Sequence, residues 1–541
     1  MLLSDIPVQS AHRAPHRVAV RLDERTITYA ELRDDCWRLS NALRAIAQPG
    51  DRVAILAENC LEYALCYYAV PGAGMALTFL NYRLAPAELA WIINDAAPTV
   101  LIVQDKYLEA IRAIRDRISS VTTLLVLGNA QADAAGFDAF LATGAPHPSP
   151  SPDEDAIAWL LYTSGTTGLP KGAMLTHRNV MAAVLNSLVS WDKEPESHYL
   201  LTFPMYHVAG YGMVVNHLRA AELTILPNFV PEELFGTIER HRITSTAAAP
   251  TMIALLLDHP AMPDYDLSSL RNVGYGASAM PAAVLLRARE KWPQVRFGTG
   301  FGMTELAGNV MFLTADEHDR AIDEGLPILN SVGRQMLLSR VRVVDEAMND
   351  VPVGDEGEIV VHGEQVLTGY WRNPEATAKA FTDGWFHTGD VGRWDAGGYL
   401  TIVDRKKDMI VTGGENVYPR EVEEVLYRHP EVLEAAVVGM DDPVWGESVI
   451  AVIATRDGTG TNAATLIQHC RDHIASYKKP KAVAFIVELP KNASGKVLKR
   501  TLRDMLAAGE LVLERQPVTT TDNPWACHSR PCPETPARAF R

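Results

Sequence analysis

The stretch YTSGTTGLPKG, Tyr162 to Gly172, decides how the chain is read. It packs small hydroxyl residues, glycines and one lysine together with almost nothing bulky between them. Gly165, Gly168 and Gly172 remove side-chain obstruction, so a phosphate can approach backbone N–H groups; Ser164, Thr166 and Thr167 add hydroxyl donors and Lys171 adds charge. The nucleotide-kinase pattern GxxxxGK[ST] does not fit, because Gly165 is not followed five residues later by Gly-Lys-Ser/Thr and Lys171 sits behind Pro170. The loop is a phosphate cradle of another kind. A short hydroxyl-glycine run alone is more often a surface turn, but Ile157 to Tyr162 reads as a buried strand, and a strand feeding a glycine loop is a frequent ligand position.

The composition sets the frame around that loop. A chain of 541 residues is too long for one core and implies roughly two to four folding units. A formal charge of −16 argues against a nucleic-acid partner, while leaving room for a local basic site that takes a phosphorylated ligand. The six cysteines, Cys36, Cys60, Cys66, Cys470, Cys527 and Cys532, show no ligand spacing, so reduced thiols in a cytoplasmic protein are expected. The amino terminus has no basic segment followed by an apolar core and does not read as a signal peptide. Tyr63 to Leu80 carries no charge, yet Pro71, Gly72 and Gly74 interrupt it; a buried helix followed by a buried strand is expected, not a transmembrane span. Peripheral contact with a membrane stays open.

Along the chain, β-rich runs alternate with helical patterns. Thr26 to Tyr29 precedes a helix with Thr28 as N-cap and Glu31 as its capping-box partner, and Arg52–Leu56 and Thr99–Val103 read as core strands. The rhythm returns at Tyr199–Phe203, Leu223–Leu226, Ser245–Ala248 and Asn272–Gly276, which implies a mostly parallel sheet covered by helices. From about Ser331 the strands shorten and glycine turns appear, indicating a small β-rich subdomain. The polar cluster DRKKD, 404–408, is read as the boundary to a final unit with the helix Pro419–His429, the strands Glu434–Gly439 and Ser448–Thr455 and the helix Ala464–Ile474. Beyond about Arg515 the proline-rich tail cannot bury enough apolar area to offset its ordering entropy, so disorder is expected there.

Four further segments stand with the glycine loop: GYGAS at Gly274–Ser278, FGTGFGMTE at Phe297–Glu305, WFHTGD at Trp385–Asp390 and NASGK at Asn492–Lys496. Singly, each has a bland reading as a turn, a cap or a solvated lysine. In this order, and with DRKKDMIVTGGENVYPREVE from Asp404 to Glu423, they make the chain resemble the adenylate-forming superfamily over roughly Ala19 to Arg500, and within it the acyl-CoA synthetases and fatty-acid-CoA ligases most. The resemblance implies an α/β fold: a large N-terminal domain of stacked αβ sheets with a small β-rich subdomain, residues 1–403, a hinge at 404–408, a small mobile α+β C-terminal domain at 409–515 and a tail at 516–541.

It also implies a chemistry. A carboxylate attacks the α-phosphate of ATP, pyrophosphate leaves, and the thiol of coenzyme A then cleaves the acyl-adenylate. Two unit like charges about 4 Å apart repel by roughly 4 kcal/mol at an effective dielectric of about 20, so such a site needs cations and aligned donors. By resemblance, Thr163 and Glu305 contact Mg2+, while Ser164, Gly165, Thr166, Thr167, Gly168 and Lys171 hold the β- and γ-phosphates. Adenine lies between Phe301 and the backbone of Gly276, Ala277 and Ser278; Asp390 accepts from the ribose hydroxyls, Arg405 reaches the ribose or phosphate edge, and Thr304 donates to the α-phosphate. Lys496 matches the adenylation lysine. Lys407 matches the residue about which the small domain rotates, and Gly413 and Gly414 give the pantetheine arm access to the backbone.

The resemblance also implies an acyl pocket along PMYHVAGYG, with Tyr206, His207, Val208 and Tyr211, and along Gly300, Gly302 and Asn309, with His207 near the carboxylate. A packed histidine at a strand end is the plain alternative for His207. No charged residue sits in Pro204–Gly212, which favours an apolar small-molecule acid, a medium- or long-chain fatty acid first. A monomer or homodimer is expected. Competing readings are an acyl-AMP ligase that delivers to a carrier protein, a luciferase-like monooxygenase and a nucleotide-binding regulator without catalysis.

Overall fold

The structure, a computed structural model, describes residues 1–163, 170–190, 197–278, 280–405, 408–412, 415–443, 445–456, 460–492 and 496–515. The chain divides into two compact units: Met1–Lys407 together with Lys491–Val497, and Asp408–Pro490 together with Leu498 onward.

The first unit contains three sheets. One runs in the order Gly369–Tyr370, Lys171–Thr176, Ile157–Thr163, Ala76–Phe79, Arg52–Leu56, Val100–Gln104, Thr123–Leu127, Ala135–Gly136. It is parallel from Ile157–Thr163 onward and antiparallel at the phosphate-loop edge. The second holds Asn272–Tyr275 and Arg296–Met303 as parallel neighbours, with Gly308–Leu313 returning antiparallel to Arg296–Met303. The third is a small antiparallel sheet built on Gly357–His362 and Trp385–Trp394, the β-rich subdomain expected from the shortened strands.

Local signals explain several elements. Thr28 caps the helix Tyr29–Arg44: its hydroxyl accepts the Glu31 N–H at 3.3 Å while the Glu31 carboxylate accepts the Thr28 N–H at 2.8 Å, an arrangement that stabilises a helix start by about 1 kcal/mol. The uncharged Tyr63–Leu80 run resolves into the buried helix Leu61–Gly72 and the fully buried strand Ala76–Phe79. Among the described residues no helix is long and apolar enough to cross a membrane. The Tyr67 ring meets Trp159 edge-on at 5.1 Å and Phe79 at 5.2 Å, which locks that helix to the strand leading into the phosphate loop. Cys36, Cys60, Cys66 and Cys470 are free and buried.

The second unit is α+β. Val432–Asp442 and Gly446–Thr455 form its long hairpin, and Pro419–Tyr427 and Ala463–His473 pack their apolar faces on the sheet. Several boundaries differ from the sequence reading. The hairpin strands extend to Asp442 and back from Gly446, because backbone pairing continues through charged positions. The strand Leu400–Arg405 runs into the expected linker: Asp404 and Arg405 pair with Val391 and Asp390.

Candidate active site

The phosphate loop joins two antiparallel strands, with Thr163 opposite Lys171 and Tyr162 opposite Gly172. Ser164, Gly165, Thr166, Thr167 and Gly168 lie outside the described residues. At the root of the loop, the Thr163 hydroxyl donates to Glu305 Oε1 at 3.4 Å and the Tyr370 hydroxyl donates to the same oxygen at 3.1 Å. Glu305 is 7% exposed, and a buried carboxylate needs such donors. Burial, and next the charge of Glu305, push the Tyr370 phenol well above its ordinary value, so it stays a donor. Lys171 Nζ sits 5.3 Å over the Tyr370 ring. A carboxylate and a hydroxyl side by side are a hard oxygen donor set that fits Mg2+, which takes one or two carboxylates plus substrate phosphates. Among the described residues no group of three or more His, Cys, Asp or Glu is arranged to hold a metal by itself.

The expected adenine platform is assembled by strand register. Tyr275 lies beside Thr299, which brings Gly276 next to Gly300: a Cβ on Gly276 would stand 3.3 Å from the Gly300 carbonyl oxygen. Ala277 follows in the left-handed region at φ 66°, and Ser278 is exposed. Phe301 is 9% exposed at a register shift between Phe301 and Gly302, an irregularity of the kind that re-aims side chains. Gly302 is required by close approach, since a Cβ there would collide with the Gly308 carbonyl; a Cβ on Gly300 would strike the Asn309 amide. Thr304 opens the turn Thr304–Leu306 that carries Glu305. Thr388 fixes the Asp390 backbone, donating to the Ile359 carbonyl at 2.7 Å and accepting the Asp390 N–H at 3.1 Å; Asp390 is buried. The Arg405 side chain, Lys407, Gly413 and Gly414 lie outside the described residues.

The expected acyl segment separates into two directions. Tyr206 turns its ring edge-on to Tyr82 at 5.4 Å, and its hydroxyl is buried with no partner among the described residues. Val208 is buried in the short turn Val208–Gly210. Tyr211, 7% exposed, lays its ring against Gly308, where a Cβ would come within 3.0 Å of ring carbons, and its hydroxyl lies 3.3 Å from the Ser187 hydroxyl. Between them, His207 Nδ1 accepts the Ala209 N–H at 3.2 Å, so the neutral ring carries its proton on Nε2. Burial, and next the charge of Lys496, bring the His207 pKa down to about 4, so the ring is neutral at pH 7. Lys496 is anchored through its backbone: Lys491 bridges Val497, the Asn492 N–H donates to the Lys496 carbonyl at 2.8 Å, and the Lys496 N–H donates to Asn492 Oδ1 at 2.9 Å.

Three residues that the sequence reading passed over hold this arrangement. Asn59 accepts the Met205 N–H at 2.7 Å and donates to the carbonyls of Phe203 at 3.1 Å and Leu226 at 2.9 Å. The Tyr67 hydroxyl donates to the Met205 carbonyl, and Tyr370 orients Glu305. Nothing local in the sequence marks them, because each acts on a segment distant along the chain.

Residues 8–371 match the family model described as AMP-binding enzyme, and residues 421–496 match the AMP-binding enzyme C-terminal domain. The chain is 38% identical over 504 residues to a feruloyl-CoA synthase of an Amycolatopsis species, covering 93% of this chain and 98% of that protein. It is 34% identical to a long-chain-fatty-acid–CoA ligase of Bacillus subtilis, covering 92% and 94%. A crystal structure of an anthranilate CoA ligase in complex with anthranoyl-AMP superposes with a TM-score of 0.87 at 26% identity, covering 94% and 98%. The shared fold and these likenesses over nearly the full length give one conclusion: the chain belongs to the AMP-binding enzyme family, as an AMP-forming acid–thiol ligase of the acyl-CoA synthetase kind.

Proposed function

We propose that this ligase activates an apolar carboxylic acid bearing an aromatic ring, and that its residues divide the work as follows. The carboxylate attacks the α-phosphorus of ATP and the bond to pyrophosphate breaks; the thiol of coenzyme A then displaces AMP. His207 donates from Nε2–H to the acid's carboxylate, Lys496 compensates charge at the reacting oxygens, and Thr304 donates to the α-phosphate. Asp390 receives the ribose hydroxyls, and Phe301 with Gly276 to Ser278 brackets adenine. Thr163 and Glu305 would hold Mg2+, which when bound supplies positive charge to the phosphates. Gly413 and Gly414 would admit the pantetheine arm after rotation about Lys407.

One observation carries the reading of His207: Nδ1 is already occupied by the Ala209 N–H and the ring is neutral, so the remaining polar atom is a donor, and the ring feels the charge of Lys496. A carboxylate is the group that both would accept. The preference for a ring starts from Tyr211, an aromatic side chain of the expected acyl segment whose ring packs on Gly308. The names of the feruloyl-CoA synthase and the anthranilate CoA ligase support it. A medium- or long-chain fatty acid is the second reading, favoured by the uncharged Pro204–Gly212 segment and by the likeness to the Bacillus ligase. We place the enzyme in the cytoplasm.

The test is a purified-protein screen of hydroxycinnamates, benzoates and saturated acids from octanoate to palmitate, scoring AMP release with and without coenzyme A. The expected result is a kcat/KM for the best aromatic acid at least about tenfold above that of any alkyl acid, within the discrimination an apolar pocket provides. A preference for palmitate would replace the aromatic reading with the fatty-acid one. Equal turnover with and without coenzyme A would move the acyl acceptor to another molecule.

A further inference from the structure

The hairpin that carries the phosphate loop also backs onto an open pocket. About 440 Å3 in volume, it is lined by Ala87, Trp91, Asn94 and Asp95 from the helix Pro86–Ala96, and by Arg117 and Arg372. Two guanidiniums and one carboxylate therefore line it, and the carboxylate is engaged: Asp95 Oδ2 accepts the Tyr162 hydroxyl at 2.6 Å. The Asp95 carbonyl accepts the Trp371 indole N–H at 2.9 Å. Arg372 and Arg52 stack on the same indole, with guanidinium carbons 5.5 and 5.1 Å from the ring centre. The like charges repel: burial and the charge of Arg372 both lower the Arg52 pKa, against the nearby Asp51. Arg372 is also held at φ 50°, a left-handed conformation that costs a non-glycine residue free energy and persists only where the surroundings impose it. Arg117 and Arg372 are exposed at this open pocket and outnumber its one carboxylate, Asp95, so the lining carries a positive balance on an acidic protein, a setting in which an anion lowers the energy.

The same residues are tied to both roots of the phosphate loop. Tyr162 and Gly172 are cross-strand partners in the hairpin. Tyr162 is bonded to Asp95 in the pocket wall, and the Gly172 carbonyl accepts the N–H of Trp371, the residue before Arg372, at 2.7 Å. Whatever positions Asp95 and Arg372 thus positions the strands that present the loop.

We infer that this pocket is a phosphoryl-anion site separate from the ATP site, and that its occupancy steadies the roots of the phosphate loop and tightens ATP binding. The planar, forked guanidiniums of Arg117 and Arg372 match phosphate oxygens, and Asn94 adds an amide donor. The anion is either free inorganic phosphate or the phosphate of a nucleotide. This inference is independent of which acid the enzyme activates.

The test uses the full chain with the ATP site saturated by a non-hydrolysable ATP analogue. Inorganic phosphate and 3′,5′-adenosine diphosphate are titrated separately by calorimetry into wild type, Arg117→Gln and Arg117→Gln/Arg372→Gln. Expected is phosphate binding that weakens by about tenfold or more in the double variant, the loss typical of a charge-assisted pair, with analogue affinity in phosphate-free buffer unchanged within about twofold. In wild type alone, phosphate should raise analogue affinity by roughly fivefold or more. Arginine-dependent binding of the nucleotide but not of phosphate would assign the anion to a nucleotide. Binding of both anions that ignores the two arginines overturns the site. Arginine-dependent binding that leaves analogue affinity unmoved overturns the coupling. If the double variant fails to fold, Arg117→Gln alone decides, because Arg117 lies outside the Asp95–Tyr162–Trp371 network.

Discussion

Replacing Asn59 by leucine isolates what positions the segment that presents His207. Asn59 is 4% exposed and makes three hydrogen bonds to backbone groups of Phe203, Met205 and Leu226. Leucine has similar volume and can make none of them, so one N–H and two carbonyls lose their side-chain partner. Each unsatisfied buried group costs about 1–3 kcal/mol, and partial relaxation brings the sum to about 4 kcal/mol. At about 2 cal/mol/K of unfolding entropy per residue, a unit of roughly 400 residues loses about 4–5 °C in melting temperature for that amount. The segment should also loosen where the acid binds. Thermal unfolding followed by circular dichroism, with pyrophosphate exchange at varied acid and varied ATP, should show the lower melting temperature together with a KM for the acid raised at least about fivefold and a KM for ATP nearly unchanged. The reasoning is refuted if Asn59→Leu melts within about 2 °C of wild type, or if both KM values rise equally.

Other changes address other parts of the site. Tyr370→Phe removes one of the two donors on Glu305 Oε1 and should lower kcat for adenylation about tenfold with an unchanged melting temperature; a raised requirement for Mg2+ should accompany it, and wild-type Mg2+ dependence would remove Tyr370 from that role. Lys496→Ala should slow acyl-adenylate formation by roughly two to three decades in pyrophosphate exchange, and an unaltered exchange rate contradicts the assignment. His177, His207 and His217 are each brought down to about 4, chiefly by burial. The unfolded chain, with ordinary imidazoles near 6.5, then binds more protons between pH 6.5 and 4, so stability is full above that window and falls as pH drops through it. At pH 5 each histidine removes about 2 kcal/mol, and the melting temperature should fall by roughly 5–10 °C between pH 7 and pH 5. A flat profile over that range would show that these rings are not held neutral.

Much of the fold was legible because its signals are local. The Thr28–Glu31 capping box, the uncharged run that becomes a helix and a strand, and the strand–glycine loop–strand order each depend on residues close along the chain. The site was legible as segments and less so as contacts. That Glu305 is held by Tyr370, that Asn59 ties down Met205, and that Tyr211 lies on Gly308 all follow from sheet register and helix packing across long sequence separations. Tyr206 and Tyr211 illustrate the limit: five residues apart in one motif, they face different neighbours because a short turn and a helix start lie between them. The strand Leu400–Arg405 continues into the first two residues of the expected linker at 404–408 for a related reason. Asp404 is charged, yet it is buried when the strand Trp385–Trp394 pairs alongside, and composition alone does not reveal a pairing partner.

The central claim is that one protein couples acid activation by ATP to thioester formation. The most direct measurement is a product balance on the purified enzyme with ATP, Mg2+, coenzyme A and the best acid of the screen, quantifying AMP, pyrophosphate and acyl-CoA over the same time course. The expected result is the three products in equal amounts, with no ADP, and exchange of labelled pyrophosphate into ATP that requires the acid but not coenzyme A. Release of ADP and phosphate, or acyl-CoA formed without acid-dependent pyrophosphate exchange, would contradict it.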